Sequence, residues 1–170
     1  MELQREKIKP LILTLLIIAA DQISKALVVR NIPYHTVGKS FFGGILRIIH
    51  TRNLAVAFSI GNSLSSSVRV LLFTVVPFII LILLLVYFLK SSEFTTLQRW
   101  AVAGILGGGF GNLIDRIFRP LGVVDFIDVK FYGILGFERW PTFNIADASV
   151  VICGILLFIG YITEERRKDE

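Results

Sequence analysis

The stretch Gly111-Asn-Leu-Ile-Asp-Arg-Ile-Phe-Arg-Pro-Leu-Gly-Val-Val-Asp-Phe-Ile-Asp128 decides the reading of this chain. It leaves a glycine-rich apolar run, crosses a Pro-Leu-Gly turn and enters an alternating segment. Asn112, Asp115 and Arg116 stand at i, i+3 and i+4, so on a helix they share one face. Asp115 and Asp125 lie beside residues that read as membrane-embedded. Ionisable groups at membrane depth are costly and mark a functional site by default.

Composition supports a membrane setting. The chain has 170 residues, 54% of them hydrophobic, and a mean hydropathy of +0.72. A soluble domain of this length is far less apolar. The reading is a single integral membrane domain over residues 1–170, mainly α-helical. Four apolar segments, at about 10–29, 70–89, 99–118 and 145–162, match the roughly 20 residues that cross a hydrocarbon core. The first resembles a signal peptide, with Arg5, Lys7 and Lys9 before an apolar core, but its helical pattern continues past Asp21, so it reads as a retained span. Pro77 is a candidate kink in the second. Gly104, Gly107, Gly108, Gly109 and Gly111 give GxxxG spacings, whose first meaning is close helix packing. Their second meaning is room for a lipid-bearing substrate.

Four spans put both termini on one side. Eight of the 18 Lys and Arg lie in the N-terminus, the 90–99 loop and the C-terminal tail. That density is about twice that of the opposite side, so the termini read as cytoplasmic. Asp21, Lys25, Asn53, Asn112, Asp115, Arg116, Asp125, Asp128, Asn144 and Asp147 then all fall at the outer level. The outer segments, 30–69 and 119–144, each carry a strand-like stretch, 45–52 and 123–131. They predict a small extracytoplasmic β-sheet resting on the membrane surface. Residues 61–67 read as a polar, mobile turn region.

Several chemistries are excluded or disfavoured. Cys153 is the only cysteine, so an intramolecular disulfide and a cysteine metal cluster are impossible. His35 and His50 form no zinc pattern. There is no GxSxG, and no phosphate-cradling motif. Net charge is +5, but no basic tract with interleaved aromatics points to nucleic acid; the charge fits lipid headgroups and topology.

Asp125 and Asp147 are the candidate catalytic pair, because two carboxylates held together share one proton and can activate water against a peptide bond. Each has a plainer reading of about equal weight. Asn144-Ile-Ala-Asp147 has the form of a helix cap, and Asp125 fits an exposed strand position. Asp147 at a helix start favours negative charge, which makes it the ionised partner and Asp125 the protonated one. Asp128 reads as solvated or salt-bridged, and Asp21 and Lys25 as an i,i+4 ion pair. Two other function classes remain: a proton-coupled small transporter relaying through Asp21, Asp115 and Arg116, and a non-enzymatic assembly partner docking through the glycine face.

Five stretches together resemble one family. Asp21-Gln-Ile-Ser-Lys25, Asn53-Leu-Ala-Val-Ala-Phe58, Gly107-Gly-Gly-Phe-Gly-Asn-Leu-Ile-Asp-Arg116, Val123-Val-Asp-Phe-Ile-Asp128 and Phe143-Asn-Ile-Ala-Asp-Ala148 occur in the order seen in the lipoprotein signal peptidases (signal peptidase II), aspartic peptidases of the bacterial inner membrane. The resemblance covers nearly the whole chain. It implies that Asp125 and Asp147 are the catalytic aspartates, framed by Asp21, Lys25, Asn53, Asn112, Asp115, Arg116 and Asn144. It implies cleavage of prolipoprotein signal peptides before a lipid-modified cysteine, no metal or organic cofactor, inhibition by globomycin-type cyclic peptides, and a β-cradle with a mobile outer segment. One departure is Ala55, where the family usually has glycine.

Overall fold

The computed structural model describes residues 8–53 and 65–168. The chain order is α1 (Leu11–Asn31), β1 (Val37–Phe41), β2 (Leu46–Asn53), α2 (Ser66–Lys90), α3 (Thr96–Phe118), β3 (Val123–Val129) and α4 (Ile145–Lys168). Among the described residues, four long helices and a three-stranded antiparallel sheet, in the order β1-β2-β3, make up the fold. This is the architecture expected from the sequence, with a third strand added. Ala55 and residues 61–64 lie outside the described residues.

The helix bounds shift from expectation for local reasons. α2 starts four residues earlier than 70, because Ser65 accepts a hydrogen bond from Val68 N and caps it. The seryl stretch therefore ends in a helix start. A π-helical turn at Leu71–Val75 runs directly into the segment that carries Pro77. Proline lacks an N–H and crowds the carbonyl one turn back, and a widened turn relieves both. α3 begins at Thr96 because Thr95 and Gln98 form a reciprocal capping box. α4 runs on through the charged tail to Lys168.

α1, α2 and α4 are long and apolar enough to cross a membrane. α3 does not meet that measure of apolarity, since glycines replace large apolar side chains and its last turns carry Asn112, Asp115 and Arg116. Its 23 residues still extend about 35 Å at ~1.5 Å each. α3 lies at the centre of the bundle, and the other helices supply its surroundings. A Cβ on Gly107 would meet Ile17 of α1 at 2.9 Å, one on Gly108 would enter the Ala146 carbonyl of α4, and one on Gly104 would enter Cys153. The glycine face is thus filled by neighbouring helices, which is the packing meaning. It leaves no room there for a lipid. On another side of α3, Leu81 and Phe88 of α2 close over Val102, Leu106 and Leu113.

The sheet sits at the end of the bundle where α1 and α3 finish. Val28 of α1 packs with Val124 and Phe126 of β3, flanked by Ile32, Ile48 and Ile127. β1 and β2 are joined through Phe42–Gly44, where Gly43 (φ 65°) and Gly44 (φ 93°) take the left-handed conformations that glycine tolerates. Asp128 is buried, not solvated: Arg47 Nε donates to Oδ2 at 2.7 Å and Arg139 Nε to Oδ1 at 2.6 Å. Arg139 also donates to Gly44 O, tying the hairpin to the segment after β3.

Candidate active site

The β2–β3 register brings the first candidate acid into place. Thr51 lies opposite Asp125 and Asn53 opposite Val123. Alternate residues share a face, so Asn53 reaches diagonally to Asp125, and its Nδ2 donates to Oδ2 at 3.3 Å. The chain then returns along β3. Phe143 O accepts from Ile127 N at 2.8 Å and Phe143 N donates to Ile127 O at 3.1 Å. That pairing delivers Asn144 to the same place, and Asn144 Nδ2 donates to Asp125 Oδ1 at 2.7 Å.

Asn144 also starts α4. Asp147 N donates to Asn144 Oδ1 at 2.9 Å, and Asn144 N donates to Asp147 Oδ2 at 3.1 Å. The capping reading of Asn144 and Asp147 is therefore right, yet it accounts for only one carboxylate oxygen. Asp147 Oδ1 turns inward and accepts from Asn112 Nδ2 at 2.7 Å. The Asn112 Oδ1 atom accepts from Asn144 Nδ2 and from Lys25 Nζ, both at 3.0 Å. Asp125 and Asp147 are thus bridged by two asparagines.

Behind them lies a charge cluster with no solvent exposure. Lys25 Nζ is 2.8 Å from Asp21 Oδ2 and 3.2 Å from Asp115 Oδ2. Charges buried together need both partners and satisfied lone pairs, and each acid has them. Asp21 Oδ1 accepts from Ala146 N at 3.1 Å, so it caps α4 from another helix. Asp115 Oδ2 accepts from Val124 N at 3.0 Å, beside Asp125, and Oδ1 faces Arg119 Nε at 3.1 Å. The i,i+4 pair of Asp21 and Lys25 exists, but as part of this cluster.

Gln22 and Arg119 were missed in the sequence. Gln22 Nε2 donates to Asp115 Oδ1 and Gly111 O, both at 2.9 Å, and its Oε1 accepts from Arg119 at 3.3 Å. The i,i+4 spacing of Asp115 and Arg119 was the available signal. Arg116 differs from its face-mates Asn112 and Asp115 in its bonding. It lies within electrostatic reach of Asp147, Asp125 and Asp115, and makes no hydrogen bond or ion pair among the described residues.

Asp125 is 4% exposed. Burial, and then the neighbouring Asp147 carboxylate, push its pKa from 3.8 up to about 7, against the hydrogen bonds from Asn144 and Asn53. A carboxyl of that kind can hold a proton near neutral pH and release it in a reaction. Among the described residues, no group of three His, Cys, Asp or Glu side chains is arranged to hold a metal ion.

Known proteins resemble this chain in sequence and in overall fold. The family model described as signal peptidase (SPase) II matches residues 13–163. The lipoprotein signal peptidase of Treponema pallidum (strain Nichols) is 49% identical over 164 residues, covering 96% of this chain and 88% of that protein. That of Borrelia hermsii is 53% identical over 146 residues, covering 86% and 84%. A solved bacterial membrane enzyme superposes with a TM-score of 0.79 at 28% identity, covering 94% of this chain and 91% of that one. A second gives 0.75, also at 28% identity, with 90% and 92% covered. On the match across residues 13–163, this chain belongs to the signal peptidase II family.

Proposed function

We propose that this chain is an aspartic endopeptidase that removes signal peptides from lipoproteins, with Asp125 and Asp147 as its catalytic pair. The observation that carries the reading is the bridging of two acids, one buried and proton-holding, by Asn112 and Asn144. In the first step Asp147 takes a proton from water as the water oxygen attacks the scissile carbonyl carbon. Asp125 gives its proton to the carbonyl oxygen, leaving a neutral diol. In the second step Asp147 passes its proton to the amide nitrogen and the C–N bond breaks. A diol hydroxyl proton returns to Asp125, which restores the starting pair. Arg116, beside both acids and uncommitted among the described residues, serves substrate carbonyls, and Asn53 holds Asp125. Asp21, Lys25 and Asp115 frame the site from behind, since they have no exposure to a substrate.

The substrate is amphiphilic, with a signal helix in the bilayer and a diacylglyceryl group on the cysteine that follows the cut. With both termini cytoplasmic by the charge distribution, the site lies at the outer leaflet of the bacterial inner membrane, at the level of that bond. Membrane lipids surround it, and globomycin-type cyclic peptides are the expected inhibitors; nucleic acid is not a partner. A transporter is not supported, because the polar cluster occupies one end of the bundle. The test is mass spectrometry of products from a lipidated precursor. A mature chain beginning at the modified cysteine supports the reading, and cleavage elsewhere or none refutes it.

A further inference from the structure

The two asparagines between the acids have fixed polarity. Lys25 Nζ can only donate, so the atom of Asn112 that meets it at 3.0 Å must be the carbonyl oxygen. The amide NH2 of Asn112 is then obliged to face Asp147 Oδ1. In the same way the Asp147 backbone N–H can only donate, so Asn144 Oδ1 faces it and the Asn144 NH2 faces Asn112 and Asp125. Both oxygens of Asp147 therefore accept hydrogen bonds, from Asn112 and from Asn144 N. Lys25 itself has no exposed surface and reaches neither acid of the pair directly.

We propose that Lys25 is a positioning residue that acts through Asn112: it holds the amide with its NH2 on Asp147, which keeps Asp147 the ionised acceptor and assigns the shared proton to Asp125. The inference rests on the catalytic-pair reading above. The charged groups within electrostatic reach of the pair are Lys25 from α1 and Arg116 from α3; Asn53 faces Asp125 from β2, and Asp21, Asp115 and Arg119 stand one contact further back, on Lys25, Val124 N and Gln22. Of these, Lys25 alone is bonded to the bridging amide. The raised pKa of Asp125 agrees with a proton resident there. Without Lys25, Asn112 Oδ1 keeps only the Asn144 NH2 as a donor, and that single bond gives way when the amide turns its oxygen to Asp147. An acceptor against a carboxylate favours the protonated acid, and the proton then sits on the wrong partner.

The experiment measures full pH profiles of kcat and KM, from pH 4 to 9, on a lipidated precursor with the full-length enzyme in detergent. Lys25→Met lowers kcat by about 100-fold with KM unchanged, and moves the acidic limb of the profile to higher pH. Lys25→Met also strips the buried acids Asp21 and Asp115 of a cation, so Asn112→Asp provides a second arm. Asn112→Asp keeps the pairing with Lys25, presents only acceptors to Asp147, and gives the same kcat loss and the same shift of the acidic limb. In the double variant Lys25→Met adds no further loss. A raised KM with retained kcat in Lys25→Met, or an unmoved acidic limb in Asn112→Asp, overturns the proposal; if Lys25→Met does not fold, Asn112→Asp decides alone. Asp125→Asn and Asp147→Asn in the same assay keep the two claims apart. Cleavage by either removes the catalytic-pair reading, whereas two inactive variants beside an unmoved Asn112→Asp limb remove only the role of Lys25.

Discussion

Replacing Asp125 by asparagine tests its proton through stability as well as through catalysis. An ordinary value of 3.8 carried up to about 7 in the fold corresponds to about 4 kcal/mol between the two protonation states. The direction follows from which state keeps the proton. Below about pH 4 the group is protonated folded and unfolded, and its contribution to stability is fully present. As pH rises the unfolded chain releases the proton while the folded chain retains it, so stability falls until the folded group ionises near 7. Between pH 5 and 8 this one group removes about 3 kcal/mol, or about 6–12 °C in Tm for a chain of this size. The amide of the Asp125→Asn variant does not titrate. Thermal unfolding followed by intrinsic tryptophan fluorescence, at matched detergent and salt, should give a Tm difference between variant and wild type that rises in favour of the variant from pH 5 to 8. Any fixed offset from an imperfect amide at this position leaves that slope untouched. A difference that is flat or falls with pH would refute a buried, proton-holding Asp125.

Two further outcomes follow from packing and from the arginine clamp. Gly108→Ala drives a methyl into the Ala146 carbonyl and Val150 at the start of α4, so it costs about 1–3 kcal/mol and displaces the neighbouring Asp147, which a lowered Tm with reduced cleavage would show. Gly154→Ala is the control, because nothing lies within 4 Å of its added methyl and alanine gains up to ~1 kcal/mol in helix propensity. Asp128→Ala leaves Arg47 and Arg139 without their shared acceptor. Both arginines can reach water, so the loss is about 1–3 kcal/mol, read as a lowered Tm with cleavage retained.

The elements that the sequence disclosed are those with local signals. Apolar length marked the helices, and β-branched alternation marked β2 and β3. Asn144 and Asp147 were legible as a cap because a cap is a four-residue pattern, i to i+3. β1 was not, since its Val-Gly-Lys-Ser-Phe stretch is exposed throughout and carries no alternation between faces. The residues that the fold gathers at the candidate site were legible one by one but not as a network. The contact of Lys25 with Asn112 spans 87 residues and that of Asp21 with Ala146 spans 125, and no spacing rule reaches so far. Asp128 read as solvated or salt-bridged, and the salt-bridged reading holds; its partners were not legible, because the arginines that bury it come from β2 and from the segment after β3. The asparagine polarity to which we assign the placing of the proton exists only once three helices and a sheet edge have met.

The central claim is that Asp125 and Asp147 act together on one peptide bond. Single-turnover cleavage of a lipidated precursor by Asp125→Asn and by Asp147→Asn, each checked for intact folding by its Tm, tests it most directly. Each variant alone is expected to lose cleavage by at least about 100-fold, and combining them to cost little more, as for residues acting as a unit. Cleavage near the wild-type rate by either variant would contradict the claim.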